Sequence, residues 1–222
     1  MGGQACVFYG GAEFSRDLDL LILADAANLA LFEAAILDLD AERIAVPPFE
    51  AQRLHAGHAV HFRCRREDVA GLRIDVMSEI RDGEPFDALW ARRTVIEADG
   101  VQVELMSLPD LVIAKKTQRS KDWPMIERLV ERSYFAGSAS PAFWLMELRS
   151  PGLLVEAAAR FPAEAALLAA RRPCIEAALD GDLERTAVLL GAEEQAEKAR
   201  DREYWAPLKR EIERLRREAR TG

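Results

Sequence analysis

The sequence predicts an α/β domain with a mixed sheet over residues 1–107, followed by an all-helical domain over residues 108–222. Three observations carry that reading. HAVHFRC and LRIDVMS alternate apolar and polar residues, as half-buried strands do. TVIEADGVQVELMS has the Asp-Gly pair of a tight hairpin between two apolar runs. From Ser107 onward apolar residues recur at helical spacing to the end of the chain.

The elements follow in order. Residues 2–16 read as a short helix and a loop. DLDLLILA, residues 17–24, is a compact apolar strand that opens on two aspartates. Asp25 caps a following helix of about 15 residues, with Leu29, Phe32 and Ile36 on one face. Pro47-Pro48 starts a second short helix, which Gly57 ends. Val60, Phe62 and Cys64 share one face of the next strand, and Leu72, Ile74 and Val76 one face of the strand after it. A short helix near Phe86–Arg92 precedes the hairpin, whose turn is Asp99-Gly100.

In the second half, Ser107 and Asp110 resemble a capping box before LVIAKK, and Asp122-Trp123-Pro124 a further helix start. Helices are expected at about 141–148, 151–160, 162–171, 173–180 and 182–190. In residues 205–219, Trp205, Leu208, Ile212, Leu215 and Ala219 form a narrow apolar stripe on a charged helix. Such a stripe suits packing on another helix, a second copy of the chain or a partner protein.

Composition narrows the class. Half of the 222 residues are apolar and 31% are charged, as in ordinary globular proteins. No apolar run approaches the roughly 20 residues of a membrane span, and no basic-then-apolar leader opens the chain, so a cytoplasmic location is expected. Cys6, Cys64 and Cys174 are scattered without a CxxC pair and read as buried thiols. A net charge of −8 argues against a general nucleic-acid binder. Basic clusters at Arg63, Arg65 and Arg66, and at Lys115, Lys116, Arg119 and Lys121, remain compatible with a nucleotide ligand.

The chemistry is concentrated in GGQACVFYGGAEFSRDLDLLIL. Asp17 and Asp19 are two apart at the head of a strand, so their carboxylates point to the same side. Like charges so close need a cation, and hard oxygen ligands suit Mg²⁺, with Mn²⁺ as the alternative. Gly2-Gly3, with thirteen residues between it and Asp17, lets backbone N–H groups approach a phosphate. A third acid, Asp75, lies mid-strand on the face opposite Leu72, Ile74 and Val76; its partner is either a cation or Arg73, which shares its face. His55 and His58 have a spacing that could suit a metal on a helix, but Gly57 breaks that helix between them. His58 and His61 fall on opposite strand faces; His61 shares a face with Arg63 on the side of the candidate cleft.

Gly-Gly, the thirteen-residue gap, Asp-Leu-Asp opening a strand, and a later strand with a single Asp together resemble the signature of DNA polymerase β-like nucleotidyltransferases. The likeness covers roughly residues 2–130. It is closest to the small bacterial and archaeal branch that includes antibiotic nucleotidyltransferases and the toxins of toxin–antitoxin and abortive-infection systems. The resemblance implies a Mg²⁺-dependent enzyme that transfers a nucleoside monophosphate from an NTP, with ATP the first candidate, to an acceptor hydroxyl on a small molecule, RNA or protein.

Residue by residue, the resemblance assigns Asp17, Asp19 and Asp75 to the metal and the chemistry, and Gly2 and Gly3 to the triphosphate. Ser15 and Arg16 would touch phosphate or anchor the loop. LPDLVIAKKTQRSKDW resembles the family's basic helix and brings Lys115, or its neighbour Lys116, and Arg119 toward the nucleotide. Lys121 and Asp122 read as a solvated charge and an N-cap. The family fold also sets an apolar strand before the glycine pair and beside the Asp-bearing strand, so the domain is expected to begin upstream of Met1. The alternative function is a catalytically weak nucleotide-binding or regulatory module of the same fold.

Overall fold

The structure, a computed structural model, describes residues 1–221. It is mixed α/β, with a mixed sheet and a helical C-terminal region. Met1–Ala114 together with the chain from Glu203 onward forms one compact unit, and Lys115–Arg202 a second. The C-terminal end therefore groups with the α/β part, where the sequence suggested a single division at residue 107.

In the first unit, helix α1 (Gly2–Phe8) precedes strand β1 (Asp17–Leu21), helix α2 (Ala26–Asp38), strand β2 (Ala41–Arg43), helix α3 (Ala51–His55) and strands β3 (Val60–Cys64) and β4 (Arg73–Met77). The sheet order is β1-β4-β3-β2, with β1 parallel to β4 and the other neighbours antiparallel. One face is apolar. Val60, Phe62, Cys64, Ile74 and Val76 are buried with Ile36 and Leu54, and Leu18, Leu20, Leu29 and Phe32 pack against them. Phe32, Phe49 and Phe62 meet with ring centroids 5.2–5.9 Å apart. Because strand residues alternate, the opposite face carries Asp17, Asp19, Arg73, Asp75, His61 and Arg63.

Local signals account for most boundaries. Asp25 caps α2 by accepting the Asn28 N–H at 2.7 Å. The prolines at 47 and 48 do not start α3, which begins at Ala51 after an extended Glu50; a ring-fixed φ serves a bend as well as a first turn. Helix α4 (Phe86–Ala91) leads to strands β5 (Thr94–Ala98) and β6 (Val101–Leu105), a separate antiparallel pair. Asp99 and Gly100 turn with φ of 51° and 77°, the doubly positive geometry of a two-residue hairpin. At the start of helix α5 (Leu108–Lys115), the Ser107 hydroxyl donates to the Asp110 carboxylate at 2.5 Å, and Arg92 grips the same carboxylate with two bonds of 2.8 Å.

The second unit holds helices α6 (Trp123–Ala136), α7 (Pro141–Glu147), α8 (Pro151–Arg160), α9 (Pro162–Leu168) and α10 (Pro173–Leu179). Each has a proline in its first turn, where the missing N–H costs nothing. Ile126, Leu129, Val130, Leu145, Leu154 and Ile175 are buried. Buried Arg172 donates to the Leu145 and Leu148 carbonyls at 2.6 and 2.9 Å and pairs with Glu193 at 2.9 Å; Arg149 also reaches Glu193, at 3.0 Å. Cys6, Cys64 and Cys174 are buried and form no disulfide, as the sequence indicated, and burial pushes the Cys174 thiol up to about 11.

Helix α11 (Leu183–Thr221) runs for 39 residues, joining two helices that the sequence separates. The joining segment GAEEQAEKARDREY is rich in strong helix formers, though it lacks an apolar stripe. From Glu203 this helix belongs to the first unit. A side chain at Gly57 would come within 2.7 Å of the Tyr204 hydroxyl and 3.6 Å of Leu208 Cδ1, and Leu208 is buried. Buried His58 and Arg53 both reach Glu211, at 2.9 and 2.5 Å. The Leu208 turn of the apolar stripe thus packs within the chain. Among the described residues, no helix is long and apolar enough to cross a membrane.

Two predictions test these contacts. Asp25→Ala should lower stability by about 1 kcal/mol in urea denaturation, the usual loss for an N-cap carboxylate. Burial alone would raise the Glu193 pKa, but the Arg172 and Arg149 charges outweigh it and hold the group below the ordinary range. A carboxyl depressed in the folded state stabilises above its unfolded pKa, about 4.3, and loses that contribution as pH falls through the lower folded value. Wild type should therefore exceed Glu193→Gln in stability most at neutral pH, with the gap closing below about pH 4. A gap that is constant with pH would contradict the pairing.

Candidate active site

The polar face of the sheet is organised by the pairing of β1 with β4. Asp17 lies opposite Arg73 and Asp19 opposite Asp75, in a parallel register. On the other side of β4, His61 of β3 lies opposite Asp75. Three carboxylates, the guanidiniums of Arg73 and Arg63 and one imidazole therefore share one surface of three adjacent strands.

The glycine pair backs onto this surface. Gly3 N–H donates to Asp19 Oδ2 at 3.2 Å. A Cβ on Gly2 would stand 1.9 Å from that same oxygen, and a Cβ on Gly3 2.3 Å from the Ser15 hydroxyl. Gly2 also has a φ of +65°, which side chains resist. Ser15 anchors the loop: its hydroxyl donates to the Asp17 carbonyl at 3.2 Å, and its own carbonyl accepts from Gln4 at 2.9 Å. Arg16 lies exposed, 5.5 Å from the Phe14 ring.

Asp75 is largely enclosed, with its side chain 13% exposed, whereas Asp17 is exposed. Its Oδ1 accepts from Arg73 Nε and from His61 Nδ1, both at 2.7 Å. An ionised carboxylate has no hydrogen to give, so Nδ1 of His61 carries the proton. Arg73 Nη2 packs 3.2 Å from that nitrogen. Burial works to raise the Asp75 pKa, and the bonds from His61 and Arg73 reverse it, so the group stays ionised below the usual carboxylate range. The hydrogen bond to Asp75 and the negative charges of Asp75, Asp17 and Asp19 raise the Arg73 pKa in turn. Arg73 thus answers to all three acids.

No family model, curated protein or solved structure matches the chain. Among the described residues, no three His, Cys, Asp or Glu side chains stand as a group that could hold a metal ion. Asp75 is turned to Arg73 and His61 instead. The donor chemistry nevertheless fits a hard cation, because three carboxylates on one face offer only anionic oxygens.

The other residues singled out from the sequence lie elsewhere. Lys115 and Arg119 belong to the second unit, while the acids, the glycines, Ser15 and Arg16 belong to the first. Lys115 is buried at the end of α5; Lys116 is ion-paired with Glu147 at 2.7 Å. Arg119 bonds Asp122 at 2.8 Å. Asp122 stands at the N-cap position of α6 without capping it, because its carboxylate accepts from Thr117 and Arg119 instead. Arg65 pairs with Glu42 at 3.1 Å, and Arg66 with Asp38 and Asp68 at 3.0 and 2.7 Å. The basic clusters are thus largely spent on local acids. A cavity of 240 Å³ lies beside β1, lined by Leu20, Leu21, Phe86, Trp90 and Met106 among others. The sequence indicated Arg73 as one possible partner for Asp75. It did not reveal His61 as the second, although the shared strand parity was its only available signal.

Gly2 and Gly71 separate contact from conformation. Both have positive φ, but a Cβ at Gly71 meets nothing within 4 Å. Gly71→Ala should cost about 1 kcal/mol for the backbone alone. Gly2→Ala should cost more in urea denaturation, the excess reporting its contact with Asp19. Equal costs would mean that Gly2 does not back the acid pair.

Proposed function

We propose that the chain is a nucleotidyltransferase, moving a nucleoside monophosphate from an NTP to an acceptor hydroxyl at a divalent-metal site formed by Asp17, Asp19 and Asp75. The observation that carries this reading is the register that sets all three acids on one face of neighbouring strands, with the side-chain-free Gly2 and Gly3 against Asp19 and Ser15. The residues involved are those that carry the sequence's resemblance to polymerase β-like nucleotidyltransferases.

In the reaction, the acceptor oxygen forms a bond to the α-phosphorus as the bond from that phosphorus to the β-phosphate bridging oxygen breaks. Pyrophosphate leaves with the electron pair, and the hydroxyl proton is released. A bound Mg²⁺, or Mn²⁺ in its place, supplies positive charge for the phosphates and the departing pyrophosphate. The protein's part is positioning. Asp17 and Asp19 would hold the cation from β1, and Asp75 from β4. The bonds from His61 and Arg73 hold the Asp75 pKa below the usual carboxylate range and keep the group ionised across the ordinary pH range. The glycine pair lets the main chain close on Asp19 and Ser15, where any side chain would collide with them. The acceptor class stays open among small molecules, RNA and protein.

A second reading is favoured by one specific observation, the engagement of Asp75 by both Arg73 and His61. A chain that keeps the fold and binds nucleotide with little turnover, as a regulatory module or one component of a toxin–antitoxin pair, would tolerate such a partnership.

The deciding experiment incubates the protein with each labelled NTP, Mg²⁺ and cell extract, then follows pyrophosphate release and label transfer. Asp17→Asn and Asp19→Asn should each lower transfer by at least 100-fold, about 2.7 kcal/mol of transition-state stabilisation, while unfolding as wild type does. Nucleotide binding without pyrophosphate release in wild type would support the regulatory module. Undiminished release by Asp17→Asn would remove the site assignment.

A further inference from the structure

We infer that Arg73 is the built-in counter-cation of the acid cluster and that it competes with a divalent cation for Asp75, so that its charge sets the metal affinity of the site. This rests on the reading of Asp17, Asp19 and Asp75 as metal ligands.

The geometry supports it in three ways. Arg73 lies opposite Asp17 in the β1–β4 register and two residues from Asp75 on its own strand, so it shares one face with every acid of the cluster. Its Nε is bonded to Asp75 at 2.7 Å, which commits one carboxylate of the three to a resident positive charge. The charges of Asp17 and Asp19 also act on it.

The electrostatics give the direction. Three carboxylates on adjacent strands repel one another, and a guanidinium among them relieves that cost when no metal is bound. A divalent cation placed among the same acids then meets both a neutralised Asp75 and a like charge nearby. The His61 bond is different in kind. Its Nδ1 donates to Asp75 Oδ1 from the neighbouring strand, whereas Arg73 brings a guanidinium whose charge is permanent. Arginine stays protonated at any working pH, so this competition depends on ion concentration and position rather than on titration of the guanidinium.

The test uses Mn²⁺ alone, without nucleotide, with free ion counted by electron paramagnetic resonance. Arg73→Gln removes the charge and should bind Mn²⁺ on the order of tenfold more tightly than wild type. Arg73→Lys keeps the charge and should bind as wild type does. Thermal unfolding is the second readout: metal-free Arg73→Gln should melt lower than wild type and be raised more by saturating Mg²⁺. The proposal is overturned if Arg73→Gln binds Mn²⁺ equally or more weakly, which would make Arg73 a support for Asp75. It is also overturned if Arg73→Lys tightens binding as much as Arg73→Gln. The companion variant Asp17→Asn separates the two levels. If it leaves Mn²⁺ binding unchanged, the metal-site reading itself fails. If it abolishes binding while Arg73→Gln shows no gain, only the role of Arg73 fails.

Discussion

The register of β1 on β4 is the constraint from which the polar face follows. Leu18 and Leu20 pack on the core against Ile74 and Val76, and this burial decides which way both strands present their alternate residues. Asp17, Asp19 and Asp75 are carried to the other face as a consequence. A slip of one residue would drive two carboxylates into the apolar cluster. The cost of burying an unpaired charge there exceeds anything the slip could return. Hydrophobic packing on one side of the sheet thus enforces electrostatic crowding on the other.

That crowding is managed by two devices of different chemistry. Arg73 adds a full positive charge to the cluster, and His61 adds a second hydrogen bond to the same carboxylate oxygen. The glycine pair contributes by absence. At Gly2 the backbone comes so close to Asp19 that a single methyl group would collide with its carboxylate, and the Gly3 N–H takes up one oxygen of that acid. Asp19 is thereby held from the main chain, Asp75 from side chains, and Asp17 stands exposed at the strand's start. The three acids are equal in type and unequal in how firmly each is placed.

Elements with strong local signals were legible in the sequence: the cap at Asp25, the Asp99-Gly100 turn, the alternation of β3 and β4, and the proline-led helices of the second unit. What was not legible depended on tertiary context. Strand β2 is three residues, AER, with no periodicity to detect, and it exists through its ladder to β3. The continuity of α11 was hidden because a helix polar on every side leaves no stripe. Pro47-Pro48 is ambiguous between a bend and a helix start until the chain around it is placed. Within the site, strand parity set the acids on one side, but parity alone does not say that His61 reaches Asp75 or that Arg73 turns toward it. Those choices are made by side-chain rotamers competing for one carboxylate.

The overall charge adds a final constraint to the proposed chemistry. An NTP carries several negative charges and would approach a chain with a net charge of −8 and an acidic sheet face. The arginines that could offset this, Arg65, Arg66 and Arg119, are held by Glu42, Asp38, Asp68 and Asp122. Arg63, which shares the acid-bearing face, adds one further positive charge against the three carboxylates there. A nucleotide that arrives with its divalent cation presents much less negative charge to the same acids. Arg73 at the cluster does not reverse this balance, because its charge is already matched by Asp75 and it answers to Asp17 and Asp19 as well. On this reading the cation does more than assist a bound nucleotide. It is the condition for a triphosphate to reach an acid-lined face at all, and the ease with which Arg73 yields Asp75 decides how much cation that requires.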